Sequence, residues 1–378
     1  MEARTQNLIA AGAGRLPEHQ TLARTLDTVD AHLPRELVDL EMRAALQRVA
    51  ERLPAALTRR IYLECRLHEA APAVDLVLCV DRASRARLEG PPAGWLPPAL
   101  RSHPLWTGVA RVCSRWGDPT SALHARIYDL WLEFDARERP SGTDALVPNV
   151  FIGFIGSRSA PRDEVWLAAQ ASLELLRSRS IAPEIRLAAQ HCIRSLPATA
   201  TLAYVGCMYP RDSEALRLCV APVDGLAVAD YLRRITWPGS SEALERSLLA
   251  LSSAAAGGAR ATLLHVDVRD TVQPRIGIEM ALQQVPQLRG DLVERHLLDR
   301  LCGLDLCTAA KRDALMRWPG YTEEILPHHC WPSIVLRRVS HVKLVFEPGR
   351  RPLAKAYLSV FHGQRAPRPR DVRPRARA

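Results

Sequence analysis

The chain has 378 residues, 47% hydrophobic and 24% charged, the balance of a globular protein with one large domain or two ordinary ones. No run approaches eighteen uninterrupted apolar residues, so no membrane-spanning helix is expected, and the opening MEARTQNLIAAGAGRLPEHQ lacks the regions of a signal peptide. The formal net charge is +10, but residues 365–378 alone hold six Arg against one Asp, so the body is only mildly basic and carries no nucleic-acid signature. The nine cysteines form no CxxC pair, and several alternate with apolar neighbours as small hydrophobes. A reducing, cytoplasmic compartment is expected. His328, His329 and Cys330 stand side by side, where adjacent side chains do not converge on one ion, so no metal site is expected there.

In chain order, residues 1–34 read as an N-terminal extension, and PRELVDLEMRAALQRVAERL (34–53) carries apolar residues at helical spacing. A strand pair follows: Tyr62, Glu64, Arg66 and His68 alternate with Ile61, Leu63, Cys65 and Leu67, and Asp75, Val77 and Cys79 return against Leu76, Leu78 and Val80. Period two on both sides of a turn is a β-hairpin with one polar and one apolar face. Residues 84–123 are Pro-rich, with one modest helix around Leu105–Ser114. A second hairpin begins near 127, setting Asp129, Trp131, Glu133 and Asp135 against Leu130, Leu132 and Phe134, then returning through Asn149, Phe151 and Gly153. Helical patterns over 163–180 and 182–196 lead to a third hairpin near 201, with Tyr204, Gly206, Met208, Arg217 and Cys219 on its polar face. Patterns over 225–235 and 241–255 precede a fourth near 261, with His265, Asp267, Arg275, Gly277 and Glu279. Patterns over 292–304 and 308–318 precede a fifth near 339, whose polar face holds His341, Lys343, Lys355 and Tyr357. Residues 364–378, Pro-broken and Arg-rich, read as a disordered tail.

Two helices followed by two antiparallel strands therefore recur about five times. Ten strands that each show one apolar face need helices to cover it, and closure into a barrel removes their edges. The expected fold is α+β: a closed ten-stranded antiparallel barrel of five ααββ units over 35–363, helices outside and polar faces inward. A polar lumen implies water or ligand within.

This order of elements resembles the PT-barrel, or ABBA, fold of soluble aromatic and peptide prenyltransferases, over roughly residues 35–362. The sequence KAY at Lys355–Tyr357 is similar to the Lys-x-Tyr pairs with which that family grips an isoprenoid diphosphate, and Lys343 would be a second lumen cation. The resemblance implies transfer of a prenyl group from an allylic isoprenoid diphosphate to an aromatic or peptide side-chain acceptor. It places Arg66, Arg217, Arg275, Lys343, Lys355, Tyr204 and Tyr357 at the diphosphate, where fixed cations and hydroxyls stabilise the leaving charge. Tyr62 and Trp131 would shield the allylic cation, and Glu133, with Glu64 second, would take the acceptor's proton. No cofactor is required, although Asp129, Glu133 and Asp135 are compatible with Mg²⁺.

The lumen face also carries Glu64, Asp75, Asp129, Glu133, Asp135, Asp267 and Glu279. That acidity favours an alternative: a peptide- or natural-product-modifying enzyme of another reaction type on the same barrel. A noncatalytic barrel that binds a small ligand or peptide also fits, and so does a set of lumen ion pairs that only fill space. Only three lysines occur, Lys311, Lys343 and Lys355, and the last two mark sites for a compact cation that a guanidinium would not fit. Lys311, on an outer helix, is expected to matter for neither binding nor stability.

Overall fold

The computed structural model of the chain describes residues 20–89, 95–136, 146–155, 160–211, 214–221, 225–251, 260–282, 292–324 and 333–364. The strands are β1 (Arg60–Arg66), β2 (Val74–Val80), β3 (Ile127–Phe134), β4 (Asn149–Phe154), β5 (Thr201–Cys207), β6 (Leu216–Ala221), β7 (Arg260–Val268), β8 (Val272–Ala281), β9 (Gly320–Glu324), β10 (Ser333–Phe346) and β11 (Leu353–Gln364). Strands β1 to β8 pair in chain order, β8 pairs with β10, β10 with β11, and β11 returns to β1. That last ladder sets Arg60–Arg66 along Phe361–Lys355 and closes a ten-stranded antiparallel barrel. Strand β9 lies outside the ring, pairing with the first residues of β10.

Alternation decides which side chains face which layer. Leu63, Leu78, Leu132, Ile152, Leu218, Val266, Ile278 and Leu344 face outward into one continuous core with the helices. Trp106, Trp166 and Trp318 of the helical layer are buried in that core, each such side chain contributing roughly 1.5–3 kcal/mol or more. Tyr62, Val77 and Tyr357 form one cluster and Phe151, Met208 and Cys219, with Tyr204, another, and Trp131 packs against both. These are lumen residues, and they pack apart from the outer core.

The first unit is fuller than its sequence pattern indicates, since helix Leu22–Asp30 precedes helix Leu40–Ala50. Leu22, Leu26 and Val29 form its buried face. The Pro-rich segment also holds two helices, Pro98–Arg101 and Pro104–Gly117, the second longer at both ends than expected. Strand β10 starts at Ser333, well before the expected 339, and a bulge between Val339 and His341 interrupts its pairing with β11. An inserted residue reverses the alternation. Before it Arg337 lies over the Trp318 ring of the helical layer, and after it Lys343 points into the lumen. No helix among the described residues is long and apolar enough to cross a membrane. Residues 365–378, most of the expected tail, and His328 to Cys330 lie outside the described residues.

Candidate active site in the barrel lumen

Two adjoining hollows occupy the lumen. The first is a cavity of about 260 Å³ walled by Tyr62, Trp131, Phe151, Tyr204 and Tyr357. The second is a narrow polar crevice lined by Glu64, Arg217, Asp267, Arg275 and Lys355. Glu133, His265 and Lys343 line both. Ten of the eleven site residues expected from sequence therefore border these hollows. The other, Arg66, shares the same strand face: it stands opposite Lys355 in the β1–β11 ladder. Arg275 lies at the mouth and is exposed, unlike the enclosed cation expected. Gly277 makes room for Lys343, whose Cε would lie 2.7 Å from a Cβ at that position.

The lumen cations are matched by acids. Lys355 Nζ and the Tyr357 hydroxyl both donate to the carboxylate of Glu64. Arg66 meets Asp75 at 3.1 Å, and Arg217 grips Asp267 through two bonds of 2.6 and 2.8 Å. Lys343 lies 3.9 Å from Glu279 and 3.2 Å from His265 Nδ1. Burial opposes ionisation of Glu64, but Lys355 and Lys343 outweigh it and hold the carboxyl below its usual range. Beside it, burial and the Glu64 charge push Asp75 upward against the pull of Arg66. The paired set is the geometry of buried ion pairs, where loss of one partner strands the other.

Glu133 accepts a hydrogen bond from Asn149 Nδ2 at 3.1 Å, and the same amide nitrogen lies 3.5 Å from Asp135. Among the described residues no three His, Cys, Asp or Glu side chains gather as ligands for one ion. The Tyr62 and Trp131 rings lie 5.1 Å apart, and His341 stacks on Tyr357 at 4.1 Å.

Sequence reasoning passed over His265, Glu279 and His341 as site residues, although all share lumen parity with residues it chose. Their mutual contacts join three strands, β7, β8 and β10, and one-dimensional parity does not show which strands become neighbours. Lys311 requires a correction. It lies on helix Ala309–Arg317 but is 1% exposed, and its Nζ donates to Arg66 O at 2.8 Å and Ala71 O at 3.2 Å. An ammonium reaching into the β1–β2 turn is a structural tie, not an indifferent surface charge.

No protein-family model matches the chain, and no curated protein matches it. Among solved structures it is similar to a 6-dimethylallyl tryptophan synthase, at 14% identity and a TM-score of 0.51 over 90% of this chain and 97% of that one. It is also similar to the 6-dimethylallyltryptophan synthase from Micromonospora olivasterospora in complex with DMASPP and Trp, at 15% identity and a TM-score of 0.50 over the same shares. At such identity the likeness is one of architecture. On that architecture the closed ring of ten strands, with its helices outside, is a PT-barrel, the ABBA fold.

Proposed function

We propose that this barrel moves a prenyl group from an allylic isoprenoid diphosphate to an aromatic or peptide side-chain acceptor in its lumen. The observation that carries the reading is the division of the lumen into a polar crevice that holds Arg217, Arg275, Lys343 and Lys355 beside three carboxylates, and an aromatic cavity, the two sharing Glu133, His265 and Lys343. The likeness to a synthase solved with DMASPP and Trp supports the same pairing of ligands. In this reading Lys343, Lys355 and Arg217 receive the diphosphate, with Arg66 behind them, Arg275 at the mouth and the hydroxyls of Tyr204 and Tyr357 beside it. As the carbon–oxygen bond ionises, negative charge grows on the leaving oxygens, and preorganised cations stabilise it more than they stabilise the ground state. Tyr62 and Trp131 turn their π-faces to the allylic cation, each worth about 0.5–2 kcal/mol. The acceptor attacks the allylic carbon, and Glu133 takes the displaced proton. Glu64, engaged by Lys355 and Tyr357, is the second choice.

The test is intact-mass screening of allylic diphosphates against pooled aromatic acceptors and peptides. Prenylated acceptor should form with the parent protein and fall by about 10²–10⁴ with Glu133→Gln, the scale of a lost general base. No product with any pair would contradict the reading.

One observation favours a second reading. Arg66, Arg217, Lys343 and Lys355 each already face a carboxylate, which suits a cationic substrate better than a trianion. The barrel would then run another modification of a peptide or natural product, or bind one without chemistry. Failure of the parent protein to bind any isoprenoid diphosphate selects this alternative.

A further inference from the structure

Cys219 on β6, His265 on β7 and Glu279 on β8 stand on three consecutive strands, and prenyl transfer uses none of them. The β6–β7 ladder sets Cys219 opposite His265. Cys219 Sγ lies 3.2 Å from His265 Nδ1, and His265 Nε2 lies 2.7 Å from Glu279 Oε1. Burial works against the Glu279 carboxylate, yet His341, His265 and Lys343 keep it ionised. An ionised carboxylate only accepts, so Nε2 carries the ring proton and the lone pair of Nδ1 faces the thiol. Burial, then the charge of Lys343, lowers the imidazole to about 4 and keeps it neutral. Burial, against the pull of Lys343 and Arg217, pushes the Cys219 thiol up to about 12, so the proton can pass only as the new bond to sulfur forms. Lys343 Nζ also reaches Nδ1, at 3.2 Å, and competes with the thiol for its single lone pair. All four side chains line the aromatic cavity.

Cys79 supplies an internal contrast on the same barrel. It too is buried and faces the lumen, but its Sγ approaches a carboxylate, Asp129 Oδ2, at 3.7 Å. A carboxylate neighbour disfavours the thiolate, whereas an imidazole accepts its proton.

We propose that Cys219, His265 and Glu279 form a nucleophile relay, and that this thiol makes thioethers with neutral, flat carbon electrophiles entering the aromatic cavity. The step needs no diphosphate and does not rest on prenyl transfer. Sγ attacks the electrophilic carbon, and the sulfur–carbon bond forms as the bond to the leaving group breaks. The leaving group departs with its electron pair, and the Sγ proton passes to His265 Nδ1. The resulting imidazolium is held against the Glu279 carboxylate. Glu133 and Glu279 outnumber Lys343 on the cavity wall and disfavour an anionic reagent, and the aromatic rings accept a neutral one.

Iodoacetamide is the probe, iodide its leaving group, and peptide mass spectrometry of the folded full-length protein reads the rate at each cysteine. Cys219 should react about a hundredfold faster than Cys79, the scale of general-base assistance. Anionic iodoacetate should show a smaller preference for Cys219 than iodoacetamide does. His265→Gln should abolish the advantage of Cys219 while leaving Cys79 unchanged, and Glu279→Gln should reduce it. If His265→Gln does not fold, Glu279→Gln decides. Equal rates at Cys219 and Cys79 in the parent protein, equal preference for both reagents, or an undiminished Cys219 rate in either folded variant, would overturn the relay.

Discussion

Lys311, Lys343 and Lys355 are exposed by only 1, 7 and 8%, whereas Arg350 and Arg351 on the β10–β11 turn stand in water. In a chain that writes almost every cation as Arg, lysine falls where a charge is enclosed and a compact three-donor head fits better than a planar fork. Lys311→Met leaves the carbonyls of Arg66 and Ala71 without its ammonium, and a hydrogen bond to a charged group is worth roughly 1.5–3 kcal/mol. Thermal unfolding of Lys311→Met should therefore fall several degrees below the parent; an unchanged midpoint would remove the tie. Asp129 makes a pH prediction. Burial raises its carboxyl from 3.8 to about 6, so the folded state holds this proton more tightly than the unfolded chain. The stability linked to it is full below pH 3.8 and is lost as pH rises through about 6. Asp129→Asn should thus stabilise the protein at pH 7, by at most roughly 3 kcal/mol. Its gain in unfolding midpoint should vanish towards pH 4, and a gain independent of pH would exclude this cause.

Within single elements, strand β10 decides the site. The bulge after Val339 turns Lys343 inward from a register that otherwise faces the helices, and Gly277 on β8 gives that side chain its path. A Cβ at 277 would sit 2.7 Å from Lys343 Cε and 3.5 Å from His265 Cβ. The flexible lysine can yield, so Gly277→Ala should fold with its thermal midpoint nearly unchanged. Its affinity for an isoprenoid diphosphate should drop by about tenfold, the equivalent of one displaced hydrogen bond. Parent affinity in that variant would show that Lys343 needs no such path. The hairpins were legible in sequence because period two survives on both strands of each, and the lumen candidates Glu64, Glu133, Lys343 and Lys355 follow from the same parity. Strand β9 was not legible, because Gly320–Glu324 lacks apolar alternation. The early start of β10 was hidden by consecutive apolar residues Ile334 to Leu336 and by the bulge. Helix Leu22–Asp30 was not read from the sequence, where residues 1–34 stand as an extension, and Thr21 gives it no side-chain cap that would mark its start. The partners of the lumen cations were the least legible feature. Asp267 against Arg217 is a contact between β6 and β7, some fifty residues apart in sequence, and register alone brings the two together.

Over the whole molecule, closure converts five amphipathic hairpins into an inside and an outside, and the polar inside is where charge, aromatic surface and bases meet. Its charge is nearly balanced, and that balance separates the two functional readings. An isoprenoid diphosphate must draw cations such as Lys355 away from the acids they already hold, a cost that only strong diphosphate contacts offset. Titration calorimetry of dimethylallyl diphosphate into the parent protein and into Lys355→Met measures this directly. The account predicts binding by the parent, weakened by about ten- to a hundredfold in Lys355→Met, as loss of one charge-assisted contact requires. Absence of binding to the parent, or equal affinity in the two proteins, would contradict it.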